Sequence, residues 1–103
     1  MALVGVTANQ ASVLIRASGE FCLLISSEQS PLGKRVNYLL SCGWHKYDIY
    51  VVFYTPESVR DELRAWQALG ATRLPELRHY RDGLLLRRLT GLTEIERFGY
   101  HGY

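Results

Sequence analysis

Apolar residues fall in alternating blocks along this 103-residue chain, each block showing the period of a strand or of a helix. Phe21-Cys22-Leu23-Leu24-Ile25 is a continuous apolar run, the pattern of a strand covered on both faces. Leu32, Val36, Leu39 and Leu40 then recur at helical spacing, between a Ser30-Pro31 start and Gly43. Residues 47–54 are aromatic and β-branched, a second buried strand. Thr55-Pro56 repeats the cap-plus-proline start, and Val59, Leu63, Trp66 and Leu69 make the apolar stripe of a second helix that Gly70 ends. Leu74 to Tyr80 reads as a third strand, joined through the Asp82-Gly83 turn to a fourth over Leu84 to Leu89. Thr93 and Glu96 form a capping box for a short last helix that Ile95 and Phe98 pack onto the sheet.

The ends are less regular. Val4 and Val6, then Val13 and Ile15, suggest two short strands around an Asn9-Gln10 turn, a β arm or hairpin over residues 1–20. Residues 99–103 form a tail of glycines and aromatics, in which Tyr100 and Tyr103 are interface candidates because tyrosine joins a large ring to a polar handle.

A strand–helix–strand unit needs a parallel crossover, and the Asp82-Gly83 hairpin needs an antiparallel pair. The expected fold class is therefore α/β. It is a mixed four-stranded sheet flanked by helices over residues 21–98, in the order β-α-β-α-β-β-α, with an N-terminal β extension.

Composition narrows the functions. Hydrophobic residues are 48% of the chain, enough for one buried core. A net charge of +2 is too small to demand a nucleic-acid or membrane partner. No apolar run approaches the ~20 residues that span a bilayer, and no signal peptide is expected at the N-terminus. Cys22 and Cys42 have no metal-ligand spacing, nor do His45, His79 and His101, so neither a metal nor another cofactor is expected. Asp61 and Glu62 read as charges on a solvated helix face, with Glu57 in the first turn.

The layout resembles the thioredoxin fold, and the glutaredoxins in particular. Ser30-Pro31-Leu32-Gly33 sits where a glutaredoxin carries Cys-Pro-Tyr-Cys ahead of its helix. Leu74-Pro75, after a Gly-x-x-Arg loop, is similar to the Val-Pro or Ile-Pro whose proline is cis in that family. Asp82-Gly83 and Gly91 match its hairpin and the glycine after its last strand. The resemblance implies a peptide- or ligand-gripping loop side formed by Ser30, Pro31, Leu32, Leu74 and Pro75.

The chain departs from the family at the reactive positions. Ser30 stands for the nucleophilic cysteine and Gly33 for the resolving one. Thiol–disulfide exchange needs a thiolate, and a serine hydroxyl cannot replace it. Cys22, in the first strand, and Cys42, at the negative end of the first helix, are poor substitutes.

The expectation is a domain with no oxidoreductase activity that binds a protein partner in a larger assembly. Its setting is the cytoplasm or, by analogy with thioredoxin-like proteins recruited for non-redox roles, a virus particle or replication complex. Two alternatives stay open: a glutathione-binding or glutathione-dependent enzyme using Ser30, and a nucleic-acid-binding subunit using the arginine-rich hairpin. Arg78, Arg87 and Arg88 of that hairpin are, on any of these readings, interface candidates.

Overall fold

The computed structural model describes residues 4–27, 48–70, 74–90, 93–95 and 97. Its elements are β1 (Val4–Gly5), α1 (Ala8–Leu14), β2 (Glu20–Ser26), β3 (Ile49–Phe53), α2 (Pro56–Asp61), α3 (Leu63–Leu69), β4 (Glu76–Arg81) and β5 (Leu84–Thr90). Residues 93–95 add a further helical turn. The first helix of the sequence reading, over 30–43, lies outside the described residues.

The strands form one five-stranded sheet in the order β1-β3-β2-β4-β5. β3 runs parallel to both β1 and β2, whereas β4 is antiparallel to β2 and β5 to β4. The mixed sheet is thus the one expected, and the N-terminal extension joins it as an edge strand.

Residues 8–14 are helical, not the second strand of a hairpin. Thr7 accepts a hydrogen bond from the Gln10 backbone N–H at 3.1 Å, and the Gln10 side chain accepts one from Thr7 N–H at 2.9 Å. This capping box supplies partners for N–H groups that a helix start leaves orphaned. Ala8 and Ala11, small enough for close approach to the sheet, are fully buried. The valines that suggested strands are secondary to this local chemistry: Val13 is among the exposed large hydrophobics.

The second expected helix is interrupted. Glu62 leaves helical geometry at φ −131° and ψ 41°, so α2 and α3 are separate. A continuous helix would bury Val59, Leu63 and Trp66 on one stripe. The break instead buries Ala65, Trp66 and Leu69 and leaves Leu63 51% exposed. Gly70 closes α3 in the left-handed conformation expected of a helix stop (φ 62°).

The apolar run of β2 serves both faces, as its pattern implied. Phe21, Leu23 and Ile25 join Val52, Tyr80, Ala65, Trp66, Leu69 and the α1 alanines in one cluster. Cys22 and Leu24 join Ile49, Val51, Leu77 and Ile95 in a second. Burying each such leucine or isoleucine is worth about 1.5–3 kcal/mol, so β2 is the spine of the domain.

The Asp82-Gly83 turn has positive φ at both central residues (51° and 83°). This is the geometry whose twist suits a two-residue hairpin. The Asp82 carboxylate accepts from Gly19 N–H at 2.8 Å, and Asp82 N–H donates to Gly19 O at 2.9 Å. The hairpin tip is thereby tied to the turn before β2. Gly83→Ala is expected to cost about 1–2 kcal/mol, because a Cβ disfavours this conformation. Chemical denaturation measures it, and Gly19→Ala (φ 108°) gives a second positive-φ reference.

Candidate functional site

The resemblance marked two stretches as one loop side. Ser30, Pro31 and Leu32 lie outside the described residues. Leu74 and Pro75 enter β4 through a cis peptide bond, as the resemblance implied. Pro75 is buried, and Leu74 is half-buried against the α1–α3 side core.

The arginine candidates divide. Arg78 is not a surface group: its side chain is 3% exposed, which corrects its assignment to an interface. Arg87 is half-buried and engaged within the protein. Arg88 is 46% exposed, with its Nε 2.6 Å from Glu76 Oε1. Tyr100 and Tyr103 lie outside the described residues, as do Cys42, His45 and His101.

Arg78 is held inside by a network that the sequence reading missed. Its Nη2 donates to Glu76 Oε2 and its Nη1 to the Tyr80 hydroxyl, both at 3.2 Å. Arg78 and Arg88 are opposite each other in the β4–β5 ladder. Two like charges so placed repel, and the carboxylate of Glu76 bridges them. Burial works against the Arg78 charge, but the bonds to Tyr80 and Glu76 outweigh it and raise its pKa above the ordinary arginine value. Glu76, Arg78 and Tyr80 recur at spacing two, which in sequence reads as the polar face of an edge strand. Opposite signs at 76 and 78 were the available signal that they pair.

A second polar pair lies at the other end of β4. His79 Nε2 and Glu20 Oε2 are 2.6 Å apart, and His79 is directly opposite Cys22 in the β2–β4 ladder. Thiol, imidazole and carboxylate are the components of a nucleophilic site, but their burial opposes that chemistry. Cys22 is fully buried, and burial pushes its thiol up to about 12 from an ordinary 9.0. Arg87 pulls the value down and Glu20 adds to the rise. The thiolate, which is the reactive form, is therefore scarce at neutral pH.

The consequence is measurable. In a Cys42→Ser background, native Cys22 should react with a thiol reagent at pH 8 about a thousandfold or more slower than in the unfolded chain, from the ionisation difference alone. The folded chain keeps a proton that the unfolded chain releases. The contribution of Cys22 to stability is thus full below pH 9.0 and is lost as pH rises through about 12. Urea titrations from pH 8 upward should show this decline, and Cys22→Ala should flatten it.

Among the described residues, no group of three or more His, Cys, Asp or Glu side chains is placed to hold a metal ion. Among them, too, no helix is long and apolar enough to cross a membrane. An open apolar groove of about 350 Å³ lies beside α1, lined by Val6, Gln10, Val13, Leu14 and Tyr50.

No protein-family model matches this sequence, and no curated relative does. Solved structures do match in fold. A single-site mutant of a thioredoxin from Halobacterium salinarum is 10% identical with a TM-score of 0.72, covering 95% of this chain and 85% of its own. The oxidised thioredoxin of Plasmodium falciparum is 15% identical with a TM-score of 0.69 and 95% coverage of both chains. Thioredoxin O2 from Arabidopsis thaliana gives 10% identity and 0.69, over 94% of this chain and 88% of that one. The chain therefore has the thioredoxin fold.

Proposed function

We propose that this chain is a thioredoxin-fold domain without thiol chemistry, acting as a protein-binding module in an assembly. The observation that supports it most is the state of Cys22, sealed in the sheet with its thiol pushed up to about 12. With Ser30 and Gly33 where the fold's redox relatives carry cysteines, no reactive thiol is offered by the residues that the resemblance aligns with theirs. What the scaffold retains is a rigid sheet with its β4 entrance set by the Leu74-Pro75 bond.

The test is a disulfide-reduction assay with insulin as substrate and dithiothreitol or glutathione as reductant. The chain should not accelerate reduction above background, and Cys42→Ser should change nothing. Turnover above background that disappears in Cys42→Ser would overturn the reading. Retention on immobilised glutathione, lost in Ser30→Ala, would instead favour glutathione binding.

The nucleic-acid alternative is weakened by the position of its arginines. Arg78 is committed to Glu76 and Tyr80, and Arg88 shares the same carboxylate. Fewer cations remain for phosphate than the sequence suggested.

A further inference from the structure

β5 is the outermost strand of the sheet at this end, among the described residues. It carries three consecutive leucines, Leu84, Leu85 and Leu86, exposed at 67%, 42% and 40%. An edge blunted only against aggregation needs charges, a bulge or proline, not a run of exposed leucines. β5 does carry arginines, and its ladder with β4 has a register shift at His79/Tyr80. Those devices discourage indiscriminate pairing and leave the leucines unaccounted for.

We propose that the β5 edge is a docking surface for an extended, acidic and apolar segment of another protein, which adds to the sheet as a strand. This rests on the binding-module reading above and names the surface and the partner's chemistry. Charge decides the occupant. From Arg81 to Thr90 the hairpin holds Arg81, Arg87 and Arg88 against the single acid Asp82. Asp82 is committed to Gly19, while Arg81 is exposed at the hairpin base, opposite Leu84 in the ladder. A second copy of this chain fits poorly. Paired β5 strands would bring two Arg87-Arg88 pairs together, with no acid within residues 84–90 of either copy. An acidic partner meets Arg81 and the outer part of Arg88 favourably, and its apolar residues cover the leucines. Strand addition suits such a segment because main-chain bonds supply affinity and alternate side chains supply selection.

The experiment uses the full chain and two fluorescein-labelled octapeptides, one alternating valine and glutamate, the other valine and lysine. Fluorescence anisotropy gives affinity, and amide hydrogen exchange gives location. The valine–glutamate peptide should bind and slow exchange along Leu84–Thr90, and the valine–lysine peptide should not bind. Leu84→Ser/Leu86→Ser and, separately, Arg81→Glu should each weaken binding by about tenfold or more, equivalent to about 1.4 kcal/mol. All three positions are exposed, and the thermal unfolding midpoint checks that the variants remain folded.

Absence of binding by the acidic peptide, equal binding of both peptides, protection confined to the Pro75 side, or binding unchanged in the leucine variant would each overturn the proposal. So would a dimer in light scattering that the leucine variant dissolves, since the occupant would then be a second copy. An inert chain in the insulin assay with unchanged β5 exchange removes this inference alone. Turnover in that assay removes the binding-module reading itself.

Discussion

Replacing Arg78 with methionine should destabilise the domain by about 3–5 kcal/mol, the usual cost of leaving one member of a buried ion pair behind. Glu76 would remain 1% exposed, with only the outer Arg88 to balance it. Tyr80, itself 5% exposed, would lose the guanidinium that donates to its hydroxyl. Methionine keeps most of the length of the side chain, so the loss reports charge and hydrogen bonding more than volume. Glu76→Gln should be comparably damaging for the opposite reason, because it leaves Arg78 and Arg88 facing each other across the β4–β5 ladder without their shared carboxylate. The pair Glu76→Leu/Arg78→Leu should recover most of the loss, since buried ion pairs replaced by apolar residues of similar volume are often neutral or stabilising. Urea denaturation of the parent and the three variants checks this ranking. Single variants within about 1 kcal/mol of the parent would show that the network does not carry the stability assigned to it.

Trp66→Ala should cost about 3–5 kcal/mol, the range for truncating a large buried aromatic. Trp66 is 6% exposed in the core between the sheet, α1 and α3. Its ring lies 5.1 Å from Tyr54 in an edge-on arrangement. Its indole N–H donates to Ser58 Oγ at 2.9 Å, and the Ser58 hydroxyl donates to Glu62 Oε2 at 3.1 Å. The other Glu62 oxygen accepts from Asn9 N–H, at the start of α1, at 3.0 Å. One chain of bonds therefore joins the buried indole to α2, the break at Glu62 and the N-terminus of α1. Trp66→Phe keeps most of the ring and loses only the donor, so its cost should be nearer 1 kcal/mol. Glu62→Gln leaves one carbonyl oxygen where two carboxylate oxygens accept, so one of the two contacts is lost. It should loosen α1 in hydrogen exchange while leaving the β2–β4 core protected. Uniform loss of protection across the domain would contradict this local role.

The Glu62 clasp also explains why the helix expected from Thr55 to Gly70 is divided. Nothing in Arg60-Asp61-Glu62-Leu63 signals a break: there is no glycine or proline. The carboxylate of Glu62 finds its partner 53 positions away at Asn9, and its own backbone leaves helical geometry. Only the packed arrangement shows that contact.

Much of the architecture was nevertheless legible in local chemistry. β2, β3 and β5 were readable from apolar runs, α2 from Thr55-Pro56, the end of α3 from Gly70, and the hairpin from Asp82-Gly83. These signals depend on φ/ψ preferences and on hydrogen bonds between residues close in sequence, so one chain segment suffices to state them. The Thr7-Gln10 capping box was equally local, and valine spacing obscured it. The order of alternating elements implied a mixed sheet because parallel and antiparallel connections have different reaches. The absence of cysteine at Ser30 and Gly33 was likewise a matter of sequence alone.

What tertiary structure decided was burial and pairing. The same alternation of charged residues along Glu76-Leu77-Arg78 describes either a solvated edge or an interior network, because spacing does not record what covers a face. Packing placed Glu76 and Arg78 inside and left Leu84, Leu85 and Leu86 outside, the reverse of what their polarity suggests. It placed β1 beside β3, converted the N-terminal segment into a strand and a helix, and set His79 opposite Cys22 across two strands far apart in the chain. Each outcome depends on contacts between distant segments, whose free energy appears only when the whole core forms.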